Sequence, residues 1–209
     1  GVDETVPYPE RYMCEYSRSK ALAEMLVIDA NGKDLATVSI RPHLIWGPGD
    51  PHLVPRILAK SDSGRLIRVG GGENKVDIIY IDNAVSAHLK AWDALEIGNP
   101  LAGKVYFVSD GEPVKLWHWI DKLLIKTGRP AVSRSISYRT AVKLGHFFER
   151  VYNFGGIKVE PPMTRFMATQ LATSHYFNIN RARNDFGYEP VISHDEGLSR
   201  LIQTVPVKC

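Results

Sequence analysis

One stretch constrains the fold more than any other: a helical run, Glu15 to Ala30, that leads within a few residues into the short apolar run Leu35–Ile40. Tyr16, Lys20, Ala23, Glu24 and Val27 recur at spacings of three and four, the period of a helix. Leu35-Ala-Thr-Val-Ser-Ile40 carries β-branched residues and reads as a buried strand. A helix feeding such a strand is half of an alternating α/β unit, and alternation favours a parallel sheet. Asn31-Gly32 is expected to close the helix and Arg41-Pro42 to stop the strand.

The rest of the chain continues the alternation. Helices are expected over Leu53 to Lys60, from Asp82 as N-cap through Ala94, over Val114 to Thr127, 138–154, Met163 to Leu171, Asn180 to Phe186 and His194 to Ile202. Short strands are expected over Arg65 to Val69, Val76 to Ile81 and Lys104 to Val108. The tight loop Gly47-Pro48-Gly49-Asp50-Pro51 and the turn Gly70-Gly71-Gly72 punctuate them.

Composition excludes several classes. A net charge of +3 over 209 residues, with no basic run interleaved with aromatics, gives no case for nucleic acid. Cys14 and Cys209 lie at opposite ends of the chain and none of the seven histidines falls in a paired motif, so neither a disulfide framework nor a metal site is expected. That cysteine usage points to a reducing, cytoplasmic setting. No apolar run reaches the roughly 20 residues that span a bilayer. The opening Gly-Val-Asp-Glu-Thr-Val-Pro-Tyr-Pro reads as the middle of a longer protein.

The chemical signal is Tyr16-Ser17-Arg18-Ser19-Lys20. Positions i and i+4 share a helical face, so a phenol and an ammonium point the same way. A free tyrosine loses its proton at about pH 10. A neighbouring positive charge favours the phenolate and makes the group a better acid/base near neutrality. Taken alone, the spacing is common by chance; its surroundings give it weight.

With Ala21 and Glu24 on the same helix, and Ile40-Arg41-Pro42-His43-Leu44-Ile45-Trp46-Gly47-Pro48-Gly49-Asp50 after it, Tyr16–Lys20 resembles the extended short-chain dehydrogenase/reductase superfamily. Val76-Asp77-Ile78-Ile79-Tyr80-Ile81-Asp82-Asn83-Ala84 with His88, and the tail Ala182–Pro190 with Glu196-Gly197-Leu198, resemble its 3β-hydroxysteroid dehydrogenase/isomerase family. Within that family the sequence is similar to the sterol-4α-carboxylate 3-dehydrogenase and bacterial 2-alkyl-3-oxoalkanoate reductase types.

The resemblance implies an α/β fold: the C-terminal part of a Rossmann-like, doubly wound parallel sheet with a small α/β substrate-binding lobe. Residues 1–46 would carry the catalytic helix and its strand. Residues 47–209 would form the substrate region, with about 76–108 returning to the main sheet. It implies NAD or NADP as cofactor and interconversion of 3-hydroxy and 3-oxo groups on a steroid-like or long-chain β-hydroxy/β-keto acid. Tyr16 would be the acid/base, Lys20 its electrostatic partner and ribose ligand, and Pro42, His43 and Leu44 the border of the nicotinamide. Gly47, Pro48, Lys75 and Tyr80 are the substrate-side candidates. A sugar-nucleotide epimerase or dehydratase and a non-catalytic nucleotide sensor are the alternatives. Asp82 is expected as a helix cap, His88 as a packed helix histidine, and Trp117 and Trp119 as core. The 138–159 stretch reads as an amphipathic helix facing the core, with a substrate entrance or peripheral membrane contact as the functional reading. A homodimer is left open.

The sequence departs from the family pattern in three respects. It contains no GxxGxxG turn, no residue that would choose between NAD and NADP, and no Ser or Thr at the carbonyl-polarising position, for which Thr5 is a poor substitute. The layout of the family therefore leads us to expect roughly 120–130 further residues before Gly1, and an inactive chain without them.

Overall fold

A computed structural model describes residues 1–208. In chain order the elements are α1 (Glu15–Asp29), β1 (Val38–Pro42), β2 (Ile45–Trp46), α2 (Leu53–Asp62), β3 (Arg68–Val69), β4 (Lys75–Val76), β5 (Ile79–Tyr80), α3 (Ile81–Ala94), β6 (Lys104–Val108), β7 (Val114–Lys115), α4 (Leu116–Lys126), β8 (Ser135–Ile136), α5 (Tyr138–Phe154), α6 (Arg165–Ala172), α7 (Asn180–Phe186) and α8 (His194–Ile202). The chain divides into two units. The first holds Gly1–Val54, Asp77–Pro113 and Tyr176–Val205; the second holds Pro55–Val76, Val114–His175 and Pro206–Cys209. Residues 176–205 thus fall with the first unit, a return for which the sequence reading made no provision.

The first unit is built on a parallel pair. β1 runs beside β6 from Val38 opposite Lys104 to Pro42 opposite Val108. The strand extends through Pro42 rather than stopping before it; β1 has one described neighbour, and an edge strand is where proline is tolerated. β2 and β5 form a second parallel pair, Ile45 opposite Ile79. Ile79, Ala84, Ala87, Ala91, Tyr106, Val108, Ile179, Phe186 and Tyr188 fill the core beneath. The alanines of α3 recur at three and four, so the helix approaches its neighbours closely through its smallest side chains.

Buried polar groups pin this unit together. The Asp110 carboxylate accepts the Tyr80 N–H at 3.0 Å and Asn83 Nδ2–H at 2.7 Å, and lies 3.1 Å from His194 Nε2. Asn83 Oδ1 in turn accepts the N–H groups of Val191 and Ile192, each at 2.9 Å. Buried donors and acceptors left unpaired cost more than the paired ones return, so such a hub selects one arrangement. Burial raises the Asp77 carboxyl above its ordinary range against the opposing bonds from Phe177 N–H and Ser109.

Three local expectations are corrected. Asp82 is not the N-cap of α3. Tyr80 holds that place without a side-chain bond, its N–H already taken by Asp110, and Asp82 in the first turn pairs with Arg200 at 3.0 Å. Gly32 is not a left-handed cap for α1: the helix ends at Ala30, whose N–H donates to the Leu26 carbonyl, and Gly32 N–H donates onward to Leu35. Val114 and Lys115 form a strand before α4 because they pair with β4.

The second unit pairs β3 with β8 in parallel and β4 with β7 antiparallel. Trp117 and Trp119 are buried, as expected of core, and Trp117 Nε1–H donates to the Leu171 carbonyl at 2.9 Å. The expectation that α5 faces the core with its apolar side is overturned. Only Ala141 and Gly145 are buried, and Gly145 allows the start of α6 to approach so closely that a Cβ would stand 2.6 Å from Arg165 N. Leu144, Phe147, Val151 and Phe154 are all exposed, Phe154 at 98%. The smallest residues lie deepest in the contact, with Val142, Phe148 and Tyr152 half-buried. Among the described residues, no helix is long and apolar enough to cross a membrane.

Gly47 supplies the sharpest test of the first unit. Its φ is +144°, and an added Cβ would stand 2.7 Å from Ile81 Cγ2. Gly47→Ala is expected to destabilise by about 1–3 kcal/mol through strain and overpacking, read as a lower Tm in thermal unfolding. An unchanged Tm would contradict the packing described for this turn.

Candidate active site

Tyr16 is the second residue of α1 and Lys20 follows one turn later. The Lys20 Nζ lies 6.0 Å from the centroid of the Tyr16 ring. The two groups therefore share a face, and both are exposed, Tyr16 at 67%. The amino end of α1 adds the partial positive charge of its unpaired N–H groups beside Tyr16. Cys14 caps this end through its backbone alone. Ser17 donates to the Cys14 carbonyl and Ser19 to the Tyr16 carbonyl, each at 2.9 Å, so both hydroxyls are engaged locally.

None of the side chains of α1 is buried among the described residues. The joint between this helix and β1 is polar. Glu24, whose side chain is 10% exposed, accepts both Arg41 Nε–H, at 2.8 Å, and Arg41 Nη2–H. Its carboxylate also accepts the Ser39 hydroxyl at 2.7 Å and the Tyr8 hydroxyl. Burial pushes the Glu24 carboxyl up, and the bonds from Arg41, Tyr8 and Ser39 together outweigh it, leaving it below its ordinary value. Burial and the neighbouring Glu24 push the Tyr8 phenol up. The Arg41 guanidinium lies 5.6 Å from the Tyr8 ring centroid and 5.1 Å from that of Phe107. Phe107 stacks on Phe177 at 4.1 Å, and His43 meets Phe177 edge-on at 5.1 Å.

This stack leads directly into Pro42-His43-Leu44. All three are half-buried, and Leu44 is the one described non-glycine residue with positive φ, at 47°. A left-handed leucine costs about 1–2 kcal/mol and persists only where its surroundings enforce it. They do so from both sides: Arg41 is fixed upstream, and the Leu44 carbonyl accepts Ile79 N–H at 3.3 Å. A strained backbone turn thus follows β1, the strand whose Arg41 anchors α1 through Glu24.

The substrate-side candidates fare unevenly. Gly47 and Pro48 lie beyond β2, at the start of the next turn. Tyr80 is removed from the set: it is 1% exposed, its ring meets Trp46 edge-on at 5.2 Å, and it closes over Gly197. Lys75 belongs to the second unit, exposed on β4. His88 is a helix-surface histidine, with Nδ1 2.7 Å from the Ala84 carbonyl. The Thr5 hydroxyl is committed to Asp3 at 2.6 Å. The sequence reading missed Glu4, whose carboxylate, 1% exposed, accepts Phe107 N–H at 2.8 Å and faces Arg181 at 3.5 Å. An acidic leader residue gives no sign from composition that it is buried. No group of His, Cys, Asp and Glu that could hold a metal occurs among the described residues.

These elements define an α/β chain of the Rossmann type, and solved structures share that fold. One is UDP-glucuronic acid 4-epimerase from Bacillus cereus in complex with NAD, with a TM-score of 0.63 at 18% identity over 97% of this chain and 55% of that one. Another is RMD from Pseudomonas aeruginosa complexed with NADPH, with a TM-score of 0.60 at 18% identity over 97% of this chain and 58% of that one. More narrowly, the chain belongs to the 3-beta hydroxysteroid dehydrogenase/isomerase family, whose model matches residues 1–137. It is 49% identical over 201 residues to 2-alkyl-3-oxoalkanoate reductase of Stenotrophomonas maltophilia, covering 96% of this chain and 61% of that protein. It is 31% identical over 206 residues to mouse sterol-4-alpha-carboxylate 3-dehydrogenase, decarboxylating, covering 96% and 57%. The chain therefore spans about three-fifths of the length of these relatives.

Proposed function

We propose that this chain carries the acid/base and substrate-side part of an NAD(P)-dependent oxidoreductase that interconverts a 3-hydroxy and a 3-oxo group on a steroid-like or long-chain β-hydroxy/β-keto acid. The observation that carries the reading is the Tyr16–Lys20 face at the amino end of α1. Both relatives are named for substrates with a C3 oxygen beside a carboxyl-bearing carbon, and their similarity to this chain supports that substrate class over the sugar nucleotide of a structural neighbour.

The donor set suits the nicotinamide end of the cofactor. Lys20 offers an ammonium to ribose hydroxyls, and the fixed turn Pro42–Leu44 offers backbone and an apolar edge to a flat ring. No glycine-rich turn among these 209 residues suits the pyrophosphate. When bound, the nicotinamide supplies or accepts the hydride at the substrate's C3. In reduction the Tyr16 hydroxyl gives its proton to the oxygen as negative charge develops there. In oxidation the Tyr16 phenolate takes the proton from the alcohol. Lys20 and the amino end of α1 place positive charge beside that ring.

The second unit provides a surface suited to a greasy substrate's source. Phe147, Val151, Phe154, Ile157 and Val159 are exposed around one shallow concavity and its rim. Arg139, Lys143, Arg150 and Lys158 flank them, while Glu149 and Glu160 are neutralised by Arg165 and Arg56. An apolar ridge with uncompensated cations fits an anionic bilayer surface.

In the full-length protein Tyr16→Phe is expected to lower kcat on 3-oxo acids by about 10²–10⁴-fold, the usual contribution of acid/base catalysis. A panel of 3-oxo acids, 3-hydroxysteroids and UDP-sugars with each nicotinamide cofactor checks the substrate class. Retained activity in Tyr16→Phe, or turnover of UDP-sugars alone, would overturn the reading. Separately, the protein is expected to sediment with vesicles containing phosphatidylglycerol, and Phe154→Glu to release it. Wild-type protein left in the supernatant at low salt would remove the membrane contact.

A further inference from the structure

We infer that Glu24 is a positioning residue for the Tyr16–Lys20 face: its ion pair with Arg41 sets where α1 stands along β1, and so where the Tyr16 hydroxyl stands relative to the Pro42–Leu44 turn. The inference rests on the reading of Tyr16 and Lys20 given above.

The argument is one of constraint. A helix normally takes its place by burying an apolar stripe. No residue of α1 is fully buried among the described residues, and of its apolar ones only Ala21, Met25 and Ile28 are half-buried, so apolar packing alone does not fix its axial position within this unit. Glu24 does. It lies on the same helix one turn beyond Lys20 and two beyond Tyr16, and its two oxygens collect four donors from the leader loop and β1. The fork of Arg41 gives the joint direction as well as strength, because two parallel N–H bonds to one carboxylate fix orientation. Arg41 is itself held between the Tyr8 and Phe107 rings. It is also the residue immediately before Pro42. One ion pair thus connects the helix that carries the acid/base to the turn that borders the nicotinamide, with no other element between them.

Loss of such a joint changes a distance without removing a reacting group. A misplacement of about 1 Å at a reacting centre can cost on the order of 10²-fold in rate. Substrate and cofactor affinity, set by groups left in place, should change little.

The test uses the full-length protein with three variants: Glu24→Gln, which keeps size and loses the charge; Arg41→Lys, which keeps charge and loses the fork; and Tyr16→Phe as control. Expected for Glu24→Gln and Arg41→Lys is at least a tenfold fall in kcat with KM for both substrates within about twofold, while circular dichroism shows the folded protein. The double variant Glu24→Arg/Arg41→Glu is expected to recover part of the kcat lost by either reversal alone. Wild-type kcat in Glu24→Gln overturns the inference, as does a loss that follows the folded fraction alone. If Glu24→Gln does not fold, Arg41→Lys and the reversal pair decide on the same criteria. An active Tyr16→Phe instead fails the reading of the site, which separates the two outcomes.

Discussion

The constraint on which the first unit depends is a half-buried ion pair across the joint between its first helix and first strand. Glu24 and Arg41 lie far enough from water for the carboxylate to be costly alone, and four donated bonds make it favourable. The pair is surrounded by rings, Tyr8 and Phe107 on the guanidinium and Phe177 beyond, so the polar joint is continuous with the aromatic stack that reaches His43. The helix that carries Tyr16 and Lys20 is thereby tied to a strained turn at Leu44.

A second polar hub lies just beyond the carboxyl end of β6. Asp110 and Asn83 hold the start of α3, the exit of β6 and the loop 191–194 in one register. This hub helps to hold a strand as short as β5 in place: the Asp110 carboxylate and the Asn83 amide satisfy backbone N–H groups that a wider ladder would otherwise pair. The second unit follows another rule. There α5 meets α6 through Ala141 and Gly145 and leaves its large apolar residues outside.

Much of this was legible in the residue order. The bounds of β6, α5, α7 and α8 follow from periodicity and turn residues, and the Tyr16–Lys20 face follows from helix geometry alone. What was not legible depends on contacts distant in sequence. Asp82 has the side chain of a cap, yet α3 begins one residue before it and Arg200, distant in sequence, draws its carboxylate away. Glu4 and Glu24 look like surface acids until Arg181, Phe107 and Arg41 are brought to them. Tyr80 belongs to a motif that suggests the substrate side, but Gly197 allows the chain to close over it. The apolar stripe of α5 has the period of a core helix, and nothing in its own sequence says that the two smallest residues would be chosen for the contact.

The reading of the site stands on one proposal, that the Tyr16 hydroxyl moves the proton. The solvent deuterium isotope effect on the single-turnover hydride-transfer rate, in the full-length protein and in Tyr16→Phe, tests it. A normal effect that disappears with the hydroxyl is expected. An effect of the same size in Tyr16→Phe would rule the proposal out.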